Sequence, residues 1–498
     1  MVSEGRKLNR KICKSIVARK GFAVQVQPLQ QDYSSEEIKL HEVSSLEALA
    51  PIEKLDAGVS SDDTAKSARA NHSTNQQETD DFLISLYLDT VFPYLFPLYR
   101  PASLAGGRAW LLKAIQEQPA IHHTVISISA YYFTLLLARD ASQTLRTPCE
   151  QHVWDTLALH MDSSLKAIQE EMTAFNKVRS SSGKVDVLTQ TCLLGIIVQQ
   201  LIFDTAMAEG ADWNLHLTAA LGLFRDIIET HGQRDGVLDL DAVLQAISPR
   251  SPIFNGIHPD FIPWSQGQNA FQFFAAFLMY ADVISSIMSG TAPKLQRYHG
   301  MLIAKRTACD GREALALKTE DYIGCPGSIL AVLGKISAID GSRNPRGERE
   351  RQEIIELKTK LQALAETQQG LQTDQGQQVA EAWMHGAMLY LTIVEQGRRP
   401  SHTETSHHVQ AIAKMLAGQL SLRSIMWPFF MAGVLAEQED EIIFTKAVLN
   451  LGPLKAFGSA KEALRLLEQA WLARDETQQD NWRLSGCFGG ENRYGLLI

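Results

Sequence analysis

Apolar positions recur at three- and four-residue spacings from Asp81 onwards, and that spacing predicts one helix after another. The first places Phe82, Leu83, Leu86 and Tyr87 on one face. Pro93 and Pro97 fix φ and remove amide donors, so this helix is expected to stop near Phe92. An aromatic turn follows, with Tyr94, Phe96 and Tyr99, too apolar to be a solvated loop. Its rings are expected to pack under a helix that starts near Gly107 and carries Trp110, Leu111, Leu112 and Ile115. His122–Leu137 is apolar for most of its length, as a helix buried nearly all round must be. It is too short, and too rich in Ser and Thr, for a strong membrane span.

The same reading continues along the chain. Val153–Val178 is amphipathic and ends at Ser180-Ser-Ser-Gly183, and Asp186 is placed to cap Val187–Phe203. Gly210–His216 forms a turn that opens Leu217–Thr230, whereas residues 231–268 read as irregular. Phe271–Met288 is apolar apart from Asp282 and is closed by Gly290. Gly324-Cys-Pro-Gly327 punctuates the entry to Ile329–Ile339, and Asn344–Glu350 reads as a charged loop. Two long helices, Arg351–Gln369 and Gln378–Glu395, come before a polar loop at Ser401–His408 and a helix at Val409–Leu420. Trp427-Pro-Phe-Phe-Met-Ala-Gly433 opens an apolar helix with Pro428 near its first position. Glu441–Asn450 and Ala460–Arg474 complete the set. Convincing strand alternation and short-period repeats are hard to find, so the predicted fold class is all-α, with a single large helical domain over 81–498.

Residues 1–80 read differently. Residues 31–80 lose hydrophobic periodicity and gain Ser, Asp, Glu, Gln and Asn, a composition that suits a disordered linker. Met1–Lys20 is basic, and Arg6, Lys7, Arg10, Lys11 and Lys14 make a candidate nuclear-import cluster or phosphate-contacting arm, against the plainer reading of a solvated tail.

Composition narrows the function. The net charge is -9, so the whole chain has no attraction for DNA, and any contact must come from a local basic patch. The six cysteines are Cys13, Cys149, Cys192, Cys309, Cys325 and Cys487, with no C-x-x-C pair. No hydrophobic signal segment opens the sequence, so a reducing cytoplasm or nucleus is the natural reading.

The landmarks, taken in order, resemble the C-terminal regulatory domain of fungal zinc-cluster transcription factors, in the second of the two fungal-specific families. They are Tyr87-Leu-Asp-Thr-Val-Phe-Pro-Tyr-Leu-Phe-Pro97, Gly107-Arg-Ala-Trp-Leu-Leu112 and Ile126-Ser-Ile-Ser-Ala130. Then come Trp213-Asn-Leu-His-Leu217, Tyr280-Ala-Asp282 followed by Gly290, and Gly324-Cys325. Trp427-Pro-Phe-Phe-Met-Ala-Gly433 and the closing pair Trp471 and Trp482 end the series. Within it, Phe92, Pro93, Phe96, Pro97, Arg108, Trp110, Asp282, Trp427, Pro428 and Gly433 stand out as the motif residues. The resemblance implies a nuclear, helical regulatory module that responds to effectors and does not itself read DNA. Such factors usually begin with six cysteines that share two zinc ions. Here the N-terminal stretch holds Cys13 alone, and a structural zinc site needs about four ligands. DNA contact is therefore expected to be indirect, through a DNA-bound zinc-cluster partner or the transcription machinery, unless an upstream exon is missing.

No catalytic constellation emerges: G-x-S-x-G, a P-loop, G-x-G-x-x-G and H-E-x-x-H are all missing. Isoprenoid cyclases need Asp-rich motifs on core helices, whereas Ser61-Asp-Asp-Thr64 lies in the linker. His122 and His123 flank an apolar helix, and His402, His407 and His408 fall in a polar loop without a Cys or carboxylate at ligand spacing. No metal, cofactor or catalytic residue is assigned. Asp282 in an apolar helix can anchor a small effector, but more commonly such a residue caps a neighbouring element or pairs with an arginine, Arg108 being one candidate.

The sequence thus points to a fungal transcription regulator in the nucleus, of a biosynthetic or nutrient pathway, with a small-molecule effector between the helices and no membrane partner. The alternatives are a scaffold that modulates zinc-cluster factors away from promoters and, last, an α-helical enzyme.

Overall fold

The computed structural model describes residues 76–101, 106–137, 148–183, 185–207, 213–234, 237–249, 264–303, 316–342, 347–368, 375–418, 420–474, 484–488 and 496–497. The basic cluster Arg6, Lys7, Arg10, Lys11 and Lys14, the polar linker up to residue 75, and Trp482 lie outside them.

Helix α1 is already formed at residue 76, inside the stretch expected to be linker. Local pairs hold it: Gln76 and Gln77 donate to Asp80 and Asp81, and His160 Nε2 sits 3.2 Å from Asp80. Nor does α1 stop at Phe92. It widens into a π turn at Tyr87–Val91 and resumes as an α-helix at Phe92–Leu95. Phe92 N bonds to Tyr87 O, five residues back, and the widened turn admits Pro93, which has no N–H and would crowd the carbonyl four residues earlier.

α2 (Ala109–Glu117) and α3 (Pro119–Leu137) follow, and α3 packs along the long α4 (Pro148–Ser182). α5 (Val187–Met207) is capped by Asp186, whose carboxylate accepts from Thr189 N at 2.9 Å and from Thr189 Oγ1 at 2.6 Å. α6 (Trp213–His231) lies against α5, where Asp204 and His216 form a buried pair at 2.5 Å.

Residues 231–249 are not irregular. A two-residue hairpin, β1 (Gln233–Arg234) and β2 (Val237–Leu238), leads into α7 (Leu240–Ile247). Leu240, Val243, Leu244 and Ile247 recur at helical spacing behind the N-cap Asp239, and all four are buried.

α8 (Gln266–Ser289) is the centre of the molecule. It starts with a capping box between Ser265 and Gln268 and ends at Gly290, which adopts φ 60°. It touches α2, α5, α6 and α7, then α9 (Thr319–Ile323), α10 (Gly327–Asp340) and the one-turn helix Leu484–Phe488. By length and composition α3, α5 and α8 are apolar enough to cross a membrane, but 94% of the most apolar stretch of α8 is buried inside the protein. Here the three helices are core.

The C-terminal half is α11 (Glu348–Gln368), α12 (Gln375–Gln396), α13 (His402–Leu416), α14 (Met426–Leu435), α15 (Glu441–Leu449) and α16 (Ala460–Leu472). Expected as a polar loop, 402–408 is instead the start of α13. Ser401 and Glu404 form a reciprocal capping box, with Ser401 N donating to Glu404 Oε2 at 3.0 Å. Trp427 on α14 is fully buried and stacks on Trp383 of α12, 5.5 Å between centroids and 8° off parallel. Cys192, Cys325 and Cys487 carry free thiols.

Two predictions follow from this packing. Trp427→Ala removes the stack and opens a large cavity, at a cost of about 3–5 kcal/mol; urea denaturation should show that loss, or recover no folded protein. The second concerns His299, buried against Gly334 with no hydrogen-bond partner on either ring nitrogen among the described residues and held by burial at a pKa of about 4. The folded state binds fewer protons than the unfolded chain, so this contribution is intact above the unfolded pKa of about 6.5. It is lost as pH falls from there through 4, by up to about 3 kcal/mol. His299→Leu should flatten that part of the stability–pH curve.

Candidate functional site

Three of the motif residues, Phe92, Phe96 and Trp110, converge on one aromatic cluster. Phe92, Phe96, Tyr99 and Trp110 all pack on Phe273 of α8, with Phe96 and Trp110 centroids 4.9 and 5.0 Å from it. Trp110 Nε1 donates to Tyr99 OH at 2.9 Å, so the indole is satisfied within the core. Arg108 does not pair with Asp282. Its guanidinium lies over the Phe92 ring and donates to Leu88 O at 3.1 Å, tying the widened turn of α1 to the start of α2. Asp282 is a cap instead: its two oxygens accept from Lys294 N at 3.1 Å and Leu295 N at 2.7 Å. Burial pushes its carboxyl up to about 6, against the pull of these two amides. Pro428 and Gly433 lie on α14, where Gly433 O accepts from Trp471 Nε1 at 2.8 Å.

Beside the aromatic cluster lies a hollow of about 30 Å³, walled by Phe96, Pro97, Phe277, Tyr280, Tyr322 and Ile202, with Arg423 and Ser424 on its polar side. That space holds about two water molecules and is far below the roughly 300–1,000 Å³ of a pocket for a drug-sized ligand. Arg423 and Ser424 come from the 3-10 turn Leu422–Ile425 that joins α13 to α14. Ser424 O accepts from Trp383 Nε1 at 3.0 Å, while Ser424 Oγ is buried with no hydrogen-bond partner among the described residues.

Arg423 is the residue that sequence reading missed. Among the described residues no carboxylate pairs with it; Nη1 donates to Phe457 O at 3.3 Å, and the guanidinium lies over the rings of Tyr94 and Phe457. Burial lowers its pKa, the nearby phenols oppose the shift, and the group stays a cation. Burial also raises the pKa of Tyr94, Tyr280 and Tyr322, so no phenolate balances that charge. Gly458 makes the close approach possible. It adopts φ 87°, its N–H donates to Ala206 O at 2.7 Å, and a Cβ there would overlap the guanidinium. No nucleophile–base pair faces the hollow. Its chemistry is that of binding: a partly buried cation, a hydroxyl without a hydrogen-bond partner among the described residues, and aromatic walls suited to a small anion.

Two groups of histidines stand out among the described residues. His123 Nδ1 meets His160 Nδ1 at 3.0 Å, next to Asp80. His402 turns to Glu437 at 3.5 Å, whereas His407 and His408 face His385 of α12.

Residues 82–488 match the fungal specific transcription factor domain. The chain is 28% identical to transcription factor dibT of Pestalotiopsis microspora, over 83% of this chain and 70% of that protein. It is 23% identical to pestheic acid cluster transcriptional regulator 3 of Pestalotiopsis fici, over 84% and 75% of the two chains. A trichothecene biosynthesis transcription regulator of Trichoderma arundinaceum is 21% identical, over 80% and 93%. No solved structure matches the chain.

The site's electrostatics give one prediction. Arg423→Met removes a partly buried cation that no carboxylate pairs with among the described residues, along with its ring contacts, two effects of opposite sign, so stability should change by no more than about 1 kcal/mol. Gly458→Ala, strained at its φ and driven into Arg423, should cost more. Thermal melts of the two variants check the contrast, and an Arg423→Met protein that fails to fold would make the guanidinium a structural strut.

Proposed function

The chain belongs to the fungal specific transcription factor domain family, and from that premise we propose that it controls a biosynthetic gene cluster from within the nucleus. It is a fungal transcription regulator and not an enzyme, as its relatives are. The observation that carries the finer reading is the match across residues 82–488 together with relatives named for pestheic acid and trichothecene pathways. In this reading the helical domain acts through DNA-bound zinc-cluster factors or the transcription machinery, and its contact with DNA is indirect. The basic cluster Arg6, Lys7, Arg10, Lys11 and Lys14 serves nuclear import. A small anionic effector, or the anionic group of a larger one, enters at Arg423 and Ser424. The size of the hollow supports a carboxylate-sized group, and a bulky metabolite would have to open it.

Genome-wide chromatin occupancy of the endogenously tagged protein tests this. Discrete peaks at promoters of one biosynthetic cluster are expected, with a zinc-cluster-type motif beneath them contributed by a partner. Flat occupancy in cells that contain the protein would sink the promoter reading and favour a module that sequesters other factors.

A further inference from the structure

We propose that His385, His407 and His408 form a binding site for a divalent transition-metal ion of the zinc type, clipping α12 to α13. One ring nitrogen from each residue lies within 4.8 Å of the others, and His385 Nδ1 and His408 Nδ1 are 2.8 Å apart. Two metal–nitrogen bonds of about 2.0–2.1 Å at a tetrahedral angle set their nitrogens about 3.3 Å apart. An ion therefore enters once the two rings part by about half an ångström. Without metal, one of these Nδ1 atoms must carry a hydrogen for the other to accept. With metal, that hydrogen moves to the Nε2 of the same ring, so each imidazole ligates in its neutral form and no net proton is lost.

The helices explain why the three rings meet. The capping box at Ser401 starts α13 at once, which carries His407 and His408 into its second turn and against α12. His385 and His408 are half-buried while His407 is exposed, so the ion has an entry side and water can supply a fourth ligand. Three imidazoles suit zinc, copper or nickel and are poorly matched to magnesium or calcium. This site stands apart from the Arg423 hollow and does not depend on the regulatory reading.

The test is titration of the full chain, stripped of metal with a chelator, with cobalt(II) alone, followed by visible absorption. One equivalent should give the d–d bands of a low-symmetry site, zinc(II) should bleach them, and zinc should raise the melting temperature. His407→Ala touches an exposed side chain and should fold normally. It should weaken cobalt binding at least about tenfold and remove the zinc-induced rise in melting temperature. His385→Ala should do the same; if it does not fold, His407→Ala decides alone. His402→Ala and His160→Ala should leave both readouts unchanged. The proposal is overturned if millimolar cobalt gives no bands, if His407→Ala binds like the parent, or if binding is lost through His402 or His160 instead.

Discussion

A helix buried on every side leaves its neighbours little freedom. α8 runs 24 residues from Gln266 to Ser289, and every position from Phe271 to Ile284 is buried. No face is left for solvent, so other elements must surround it with apolar side chains. The N-terminal motif supplies one wall through Phe92, Phe96 and Trp110, α5 and α6 supply another, and α10 with the Leu484–Phe488 turn closes the far side. The widened turn at Tyr87–Val91 matters for the same reason. It lets α1 continue past Pro93, and that continuation brings the Phe92 and Phe96 rings onto Phe273.

Several polar groups inside this core are spent on structure. Asp282 caps a turn, Asp204 pairs with His216, and Gln199 donates to Tyr87 OH at 2.9 Å. Arg423 and Ser424 differ, because their polar atoms are under-used where they face a hollow. A partly buried cation that no carboxylate pairs with among the described residues is one place where a small energetic input can act.

Much of the fold is legible in the chain. The Asp186 cap, the Gly290 stop and the apolar α8 follow from spacing and breakers alone, whereas the prolines after Phe92 read as a stop that the widened turn of α1 overrides. What escapes has physical causes. α7 is eight residues long and sits in a proline-rich neighbourhood, so its four apolar positions are outweighed by breakers. The Ser401–Glu404 capping box is written in the sequence, but three histidines and two threonines around it read as loop. Arg423 and His385 cannot be found by spacing at all. The former is special because no carboxylate opposes it among the described residues, the latter because two helices bring it to His408, and both are properties of tertiary packing.

Tyr131 OH donates to Ala456 O across 325 residues of chain, and Phe457 then seats among Tyr94, Tyr131 and Tyr132. A ribosome adding about 5–20 residues per second needs about 15–65 s to supply that partner. Throughout that interval α3, α5 and later α8, each apolar enough to pass for a membrane segment, have been made while the wall that closes over them has not. Newly made chains thus hold apolar helix surface without its cover until that partner is made, the condition in which exposed hydrophobic surface is prone to aggregate.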